Sequence, residues 1–472
     1  MPANAALATA PTAPLTAPPA TPPATPPTTP LLRPVSGWGG YPRAASEMLA
    51  ADAPETLPAL LRGRRGVIAR GAGRAYGDAA VGLRTTVLTG ALDRIRGFDP
   101  ATGRLRAEAG VTLADIVRTF LPRGFFPPVV PGTQFVTLGG MIASDVHGKN
   151  HHREGGFGAH VEALTLLTPD GVPRFCSREQ NPDLFAMTLG GMGLTGTILD
   201  ATFRLRPVES GWIVQRTRIA PDLAAMLAAL EQDGDATYSV AWIDGLARGS
   251  ALGRGLVYRG EHASGDLCRA AGRDLFPSPP PGRLTVPPGW PAWTLNRASV
   301  TAFNALYFRR GAAAGSPGLV PWHSYFFPLD GLRAWNRLYG SRGFVQHQCV
   351  VPRHGAGALL AEILDRVAHL GTASPLAVLK RLGACGRGLS FPMDGYTLAL
   401  DLPANAATFA LLDALDRRVV AAGGRLYLAK DARQTRDTFE AGYPELPAFR
   451  DLRRQLGADG MLASRLSARL GL

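Results

Sequence analysis

Glycine gathers at three short segments within the first two hundred positions, and these segments restrict the fold more than any other feature of the chain. Backbone that turns sharply or closes on a bound anion needs residues without a Cβ. The first segment, Arg70-Gly71-Ala72-Gly73-Arg74-Ala75-Tyr76-Gly77-Asp78, follows a strand-like stretch from Gly66 to Arg70. A second runs from Pro131, Gly132 and Thr133 through Thr137, Leu138, Gly139 and Gly140 to Ser144, Asp145, Val146 and His147. The third is Gly190 to Gly196. One such turn is an ordinary tight connection; three together favour a pocket for a cofactor with two phosphates.

A nicotinamide fingerprint is excluded at both places where it could be sought. In the first segment Tyr76 stands where the third glycine of G-x-G-x-x-G belongs. Gly191, Gly193 and Gly196 satisfy the spacing, but a helix-like segment precedes them and the strand-like Thr197 to Arg204 follows. That order reverses strand, turn, helix.

Along the chain, residues 1–34 are nearly all Ala, Pro and Thr, too poor in large apolar groups to repay ordering, and read as a disordered tail. Residues 35–208 alternate strand-like and helix-like stretches, with a helix at Leu113 to Phe120 and strands at Val161 to Thr168 and Thr197 to Arg204. The pattern restarts near Trp212, so 209–424 reads as a second domain with its own sheet, aromatic stretches at Trp322 to Phe327 and Phe344 to Val351, and a Pro/Gly-rich loop from Phe276 to Pro291. Residues 425–472 begin as a short strand, Arg425 to Leu428, and pass Lys430 and Asp431 into helical sequence.

A chain with 46% apolar and 18% charged residues reads as globular, and no run of eighteen apolar residues marks a spanning helix. No charge precedes Arg33, so the basic start of a secretory signal is missing and the cytoplasm is the expected address, with the inner membrane surface or the periplasm as alternatives. The net charge of +13 suits acidic partners. Its arginines are scattered, without a block of five or six, which reads as a solvated basic surface rather than a nucleic-acid site. Cys176, Cys268, Cys349 and Cys385 form no C-x-x-C pair and read as free, mostly buried thiols. The cluster His147, Lys149, His151 and His152 lacks a carboxylate or cysteine set at ligand spacing, so no metal site is expected. His147 reads as a cofactor or substrate contact, and His151 and His152 as surface residues.

The ordered set R-G-x-G-R-x-Y-G-D, P-G-T-x-x-V-T-x-G-G, D-V-H-G-K-N-H-H and G-G-x-G-L-T-G resembles the flavoprotein oxidase subunits of decaprenylphosphoryl-ribose 2′-epimerases. The likeness continues through Trp242, Phe326 to Asp330, Trp335 to Arg337, Gln346, Gln348, Leu389 to Pro392 and Tyr427 to Arg433, covering roughly Ser36 to Leu472. It implies an α+β fold of the PCMH, or vanillyl-alcohol-oxidase, type. Two α+β lobes bind FAD and are completed by the C-terminal segment, and a substrate domain built on an antiparallel sheet is inserted between. By position the FAD contacts would be Ala69 to Ala79, Gly132, Thr133, Thr137 to Gly140, Ser144 to His147, Ile198 and Tyr427. Arg74 stands where wider relatives carry a tethering histidine, which implies non-covalent FAD.

The resemblance further implies that Lys430, with His147 beside the flavin, performs the catalysis, Lys430 as the base that takes a hydroxyl proton. Spacing alone would leave Lys430 an ordinary exposed lysine, and a lysine serves as base only when its pKa falls from about 10.4 toward neutrality. Lys149, Trp242, Phe326, Gln346, Lys380 and Ala399 would contact substrate. Ala399 stands where mycobacterial relatives have cysteine, and Phe326 replaces a tyrosine. Read from alternation alone, Gln346 and Gln348 could turn one face to solvent. The implied substrate is a polyprenyl-phosphoryl ribose oxidised at its 2′-hydroxyl, with an NAD(P)H-dependent short-chain reductase completing epimerisation to an arabinose donor for cell-envelope glycan, and with transient membrane contact through loops such as Phe276 to Pro291. Two readings stand against it: an oxidase of a free alditol or aldonolactone, and a non-catalytic basic binding protein.

Overall fold

Thr85-Thr86-Val87-Leu88 is a β-branched and apolar run buried on both faces, and it forms one of the two inner strands of the first sheet. The computed structural model describes residues 32–232, 236–280, 284–371, 375–384 and 386–472. In the first sheet β1 (Leu32–Ser36) pairs antiparallel with β2 (Arg43–Ala50). Strand β2 runs parallel to β4 (Thr85–Leu88), and β4 parallel to β3 (Val67–Arg70). The expected disorder does not extend over Leu32 to Pro34, which pair with β2; residues 1–31 lie outside the described residues, as do 281–283 and Cys385.

The next strands are β5 (Ile95–Asp99), β6 (Arg104–Glu108), the two-residue β7 (Phe125–Phe126), β8 (Val161–Leu167), β9 (Pro173–Ser177), β10 (Thr197–Arg204) and the two-residue β11 (Arg206–Pro207). Five of them form an antiparallel sheet in the order β5-β6-β10-β8-β9, and β7 pairs with β11. The expected helix is present at Leu113–Phe120, where Thr112 and Asp115 close a capping box.

A third, eight-stranded sheet is antiparallel throughout. It contains β12 (Trp212–Ala220), β13 (Tyr238–Ile243), β14 (Gly255–His262), β16 (Gly318–Pro321), β18 (Phe344–Pro352), β19 (Ala377–Leu382), β20 (Gly395–Pro403) and β21 (Arg425–Leu426), in the order β16-β12-β14-β13-β19-β20-β18-β21. The two remaining strands, β15 (Leu284–Thr285) and β17 (Leu332–Arg333), pair parallel to each other. Alternation along the central strands separates the sheet's faces. Val345, Cys349, Val351, Leu379, Leu398 and Leu400 pack on the helices Ala356–Leu370 and Ala406–Ala421. Gln346, Gln348, Lys380, Thr397 and Ala399 turn the other way and line a cavity.

The expected division at 208/209 crosses continuous core. Phe126, Phe157 and Phe203 share one apolar cluster with Tyr238, Trp322 and Phe326, and Ile68 and Met187 share another with Phe391 and Tyr427. Residues 32–472 cluster as one unit. The C-terminal segment reaches both regions: Leu426 pairs with Cys349 of the large sheet, and Leu462 bridges to Val67 of the first. The strand expected from Arg425 to Leu428 stops at Leu426, since the chain turns at once, with the Lys430 and Asp431 amides donating to the Tyr427 carbonyl at 2.9 and 3.0 Å.

Candidate active site: a cavity between glycine loops and a polar sheet face

A cavity of about 650 Å³ separates the glycine segments from the polar face of the large sheet. Backbone and small residues make the first wall. At Gly71 a Cβ would lie 2.1 Å from Thr137 Oγ1, so the first two glycine segments touch without room for a side chain. Thr137 in turn caps the helix Leu138–Ala143, its hydroxyl accepting from the Gly140 amide. At Gly77 a Cβ would lie 1.8 Å from the Asp431 carbonyl oxygen. The Tyr76 amide donates to the Ala429 carbonyl at 2.9 Å, and Arg469 bridges Asp78 and Asp431, 2.9 Å to each. The segment carrying Lys430 thus rides on the first glycine loop.

Side chains make the second wall, and most are polar and shielded from water. Gln348 Nε2 donates to His147 Nε2 at 2.9 Å and to the Thr397 hydroxyl at 3.1 Å. That bond places the imidazole proton on Nδ1, a buried atom without a protein partner. Burial first, then the cations Lys380 and Lys430 and the neighbouring His151, hold His147 well below the usual histidine range, so it is neutral at pH 7. Its ring lies against Phe391 and Tyr427, with centroids 5.5 and 5.3 Å away. Tyr427 donates its hydroxyl to the Ser144 carbonyl at 2.8 Å.

Lys430 Nζ sits 3.4 Å from the centroid of the Tyr76 ring. Burial pulls its pKa down toward neutrality; Asp401 opposes this and Lys380 adds to it. Asp401, pushed up by burial, accepts from Gln346 Nε2 at 2.5 Å. Lys380 is drawn down by burial to about 8. Two lysines and a neutral imidazole thus line a cavity with Asp330, while Asp401 is buried behind its wall, an arrangement suited to taking a proton from a hydroxyl and holding an anion.

The residues present fit a flavin dinucleotide. At Gly132 nothing lies within 4 Å of where a Cβ would stand, so the space that a side chain would fill opens into the cavity. The unpartnered His147 Nδ1 and Arg74 Nε are buried donors for acceptors held there. Arg74 is stacked over Trp38 at 4.1 Å and has no chemistry for a covalent tether.

Of the residues singled out from sequence, Ala69, Gly71 to Tyr76, Ala79, Gly132, Thr133, Thr137, Gly139, Gly140, Ser144, Val146, His147, Ile198, Gln346, Lys380, Ala399, Tyr427 and Lys430 line the cavity. Arg70, Gly77, Asp78, Leu138 and Asp145 stand behind it. Arg70 donates to the Ser36 carbonyl. Asp145, at φ +38°, accepts from Ser390 Oγ and, at 2.9 Å, from the Gly158 amide, bracing the turn before His147.

Lys149, Trp242 and Phe326, expected at the substrate, also stay outside the lining. The Lys149 ammonium donates to the Tyr325 carbonyl and lies 4.4 Å from that ring, burial and Lys380 drawing its pKa to about 7. Trp242 Nε1 donates to the Pro375 carbonyl. Phe326 is packed between Phe126 and Tyr238.

Of the two flanking histidines, His151 is no surface group and His152 is half-buried. His151 is 2% exposed and accepts the Gly383 amide, while His152 bonds the Ala236 carbonyl. Gln346 and Gln348 are both buried, because the sheet face that alternation left open is the cavity wall. Sequence reasoning assigned no role to Asp401 or Thr397. Their signal is their spacing from Ala399, two residues away on either side of it on the same strand.

Residues 51–177 match the model of a family described as an FAD binding domain. The chain is 37% identical over 447 residues to a decaprenylphosphoryl-β-D-ribose oxidase of Mycolicibacterium smegmatis, covering 92% of this chain and 97% of that protein. It is 39% identical over 375 residues to an uncharacterised Streptomyces coelicolor protein, covering 77% of this chain and all of that one. The L-gulonolactone oxidase of Mus musculus is 28% identical over 29% of this chain and 31% of its own length.

Proposed function

Because the chain belongs to the decaprenylphosphoryl-β-D-ribose oxidase family and is an FAD-dependent oxidoreductase of the PCMH-type α+β class, we propose that it oxidises the ribose 2′-hydroxyl of a polyprenyl-phosphoryl ribose to a ketone. Bound FAD supplies the two-electron acceptor for the hydride that leaves carbon. Lys430 takes the hydroxyl proton. The observation that carries this role is its place on the cavity wall, half-buried and near Lys380, whose charge favours its neutral form. His147, neutral and held by Gln348, offers its free Nδ1–H to an acceptor on cofactor or substrate. Lys380 keeps its proton at pH 7 and faces the cavity, where it suits the substrate's phosphate. Thr397 and Gln346 complete the polar wall. Lys149, Trp242 and Phe326 act only through what they support, since their polar atoms and rings are occupied elsewhere.

The proposal extends to the chemistry around the site: non-covalent FAD, a 2′-keto product handed to a separate NAD(P)H-dependent reductase, an FAD region made of 35–208 and 425–472 around a substrate region, 209–424, and contact with a membrane that holds the lipid substrate. Anaerobic titration of the purified protein with detergent-dispersed polyprenyl-phosphoryl ribose tests the central step. Bleaching of the visible flavin band is expected. A flavin that bleaches with a free alditol or aldonolactone and ignores the lipid-linked sugar would overturn the substrate and favour the aldonolactone-oxidase reading.

A further inference from the structure

The helix Arg297–Ala313 is inside out for the surface of a globular protein. Such helices turn an apolar stripe inward, but here the inward positions are Val300 and Asn304, and Asn304 is bonded to Asp244 at 2.7 Å. Phe303, Leu306 and Tyr307, spaced to share one face, are 47%, 50% and 37% exposed. Trp293, whose carbonyl accepts from the helix's capping Asn296, is 75% exposed, and Leu284 is 78% exposed.

Along the segment that carries this face the charge is almost all of one sign. From residue 284 to 343 the sequence holds the arginines Arg297, Arg309, Arg310, Arg333, Arg337 and Arg342 against a single acidic residue, Asp330, which is 7% exposed. The segment also adjoins the cavity: β15 pairs with β17, whose Leu332 and Arg333 line it. Tyr307 packs on Trp242 at 4.6 Å, and Trp242 is the register partner of Val378 in the cavity wall. By contrast, the start of the Phe276 to Pro291 loop is anchored, Phe276 packing on core and the Pro277 carbonyl accepting from Trp322.

We propose that Leu284, Trp293 and the Phe303, Leu306, Tyr307 face dock on an anionic lipid bilayer and bring the cavity to a membrane-held substrate. The inference rests on the lipid-substrate reading above. Apolar aromatic groups enter the headgroup boundary while flanking arginines meet acidic lipid. Among the described residues no helix is long and apolar enough to cross a membrane, so the contact is peripheral.

Cosedimentation of the FAD-loaded protein with phosphatidylcholine vesicles, with and without phosphatidylglycerol, tests this. The wild type should bind the mixed vesicles and lose affinity with added salt. The triple variant Trp293→Ser/Phe303→Ser/Leu306→Ser and the pair Arg309→Glu/Arg310→Glu should each bind about tenfold or more weakly. Both should retain flavin content and thermal midpoint, because every altered side chain is exposed. Variants that bind like wild type would overturn the proposal. A wild type that stays in the supernatant would sink the docking face alone, since bleaching by detergent-dispersed substrate would leave the substrate reading standing. A wild-type dimer that the triple variant dissociates, with vesicle binding unchanged, would assign the face to a second copy and overturn the bilayer.

Discussion

The two walls of the cavity are built on opposite terms. The glycine wall contributes mainly backbone, held by contacts so close that no Cβ fits at Gly71 or Gly77. The sheet wall contributes side chains whose backbone is unremarkable antiparallel strand and whose chemistry lies in burial and charge. A wall of the first kind recognises by shape and fails when atoms are added. A wall of the second kind acts by proton affinity and fails when groups are removed. The walls meet where Tyr76 and Gly77 contact Ala429 to Asp431, so the glycine wall also aims the lysine.

The largest expected effect comes from adding atoms to the first wall. Gly77→Val places a branched side chain against the Asp431 carbonyl, a backbone atom that cannot swing aside, and should cost about 3 kcal/mol or more. Calorimetry should show a lowered melting temperature, and the purified variant should carry little flavin. Full FAD occupancy with an unchanged melting temperature would show that the wall tolerates side chains and would dissolve the distinction.

Removing a group from the second wall should do the reverse. Lys430→Met is expected to keep FAD and fold while slowing anaerobic flavin reduction by roughly 10²–10⁴-fold, the usual worth of a positioned base. Stopped-flow reduction beside a flavin spectrum separates the two. Loss of flavin in this variant would mean that Lys430 belongs to the cofactor-holding wall.

The pH profile sharpens the same point. Neutral Lys430 is the reactive form, so reduction should quicken as pH rises through its pKa. Lys380 depresses that pKa and Asp401 raises it, while His147 stays neutral and Tyr76 stays protonated. Lys380→Met should therefore move the rising limb to higher pH, and Asp401→Asn to lower pH. Shifts of the same sign would show that the limb belongs to another group.

The glycine wall was largely legible because its constraint is local. Gly71 to Tyr76, Gly132 to Gly140 and Ser144 to His147 are contiguous, and a residue without a Cβ announces close approach wherever it stands. Arg70, Gly77 and Asp78, which the resemblance placed in the cofactor set, stand behind the cavity wall and hold the loop in place. The sheet wall is assembled from β18, β19, β20 and the turn after β21, so no window of sequence contains it. Alternation shows that Gln346 and Gln348 share a face, but not that this face meets a cavity rather than water; only the family resemblance pointed there. The same limit misplaced His151, whose burial comes from Gly383, more than two hundred residues away. Lys149 fails for another reason, since a lysine one residue past a glycine turn looks available until Tyr325 is packed over it.

The smallest expected effect tests whether the sheet wall tolerates added atoms as the glycine wall does not. Ala399 lies between Gln348 and Val378 in register and lines the cavity. Ala399→Cys adds one sulfur to open space rather than to a packed contact, so flavin reduction should stay within about twofold and stability should hold, as expected for a change that neither overpacks nor strands a polar group. The thiol should add one alkylation adduct over wild type, blocked by substrate, because Cys176, Cys268 and Cys349 are buried. A variant that loses flavin or fails to gain a substrate-protected adduct would place Ala399 in packed wall, and the two sides of the cavity would then differ in chemistry but not in tolerance.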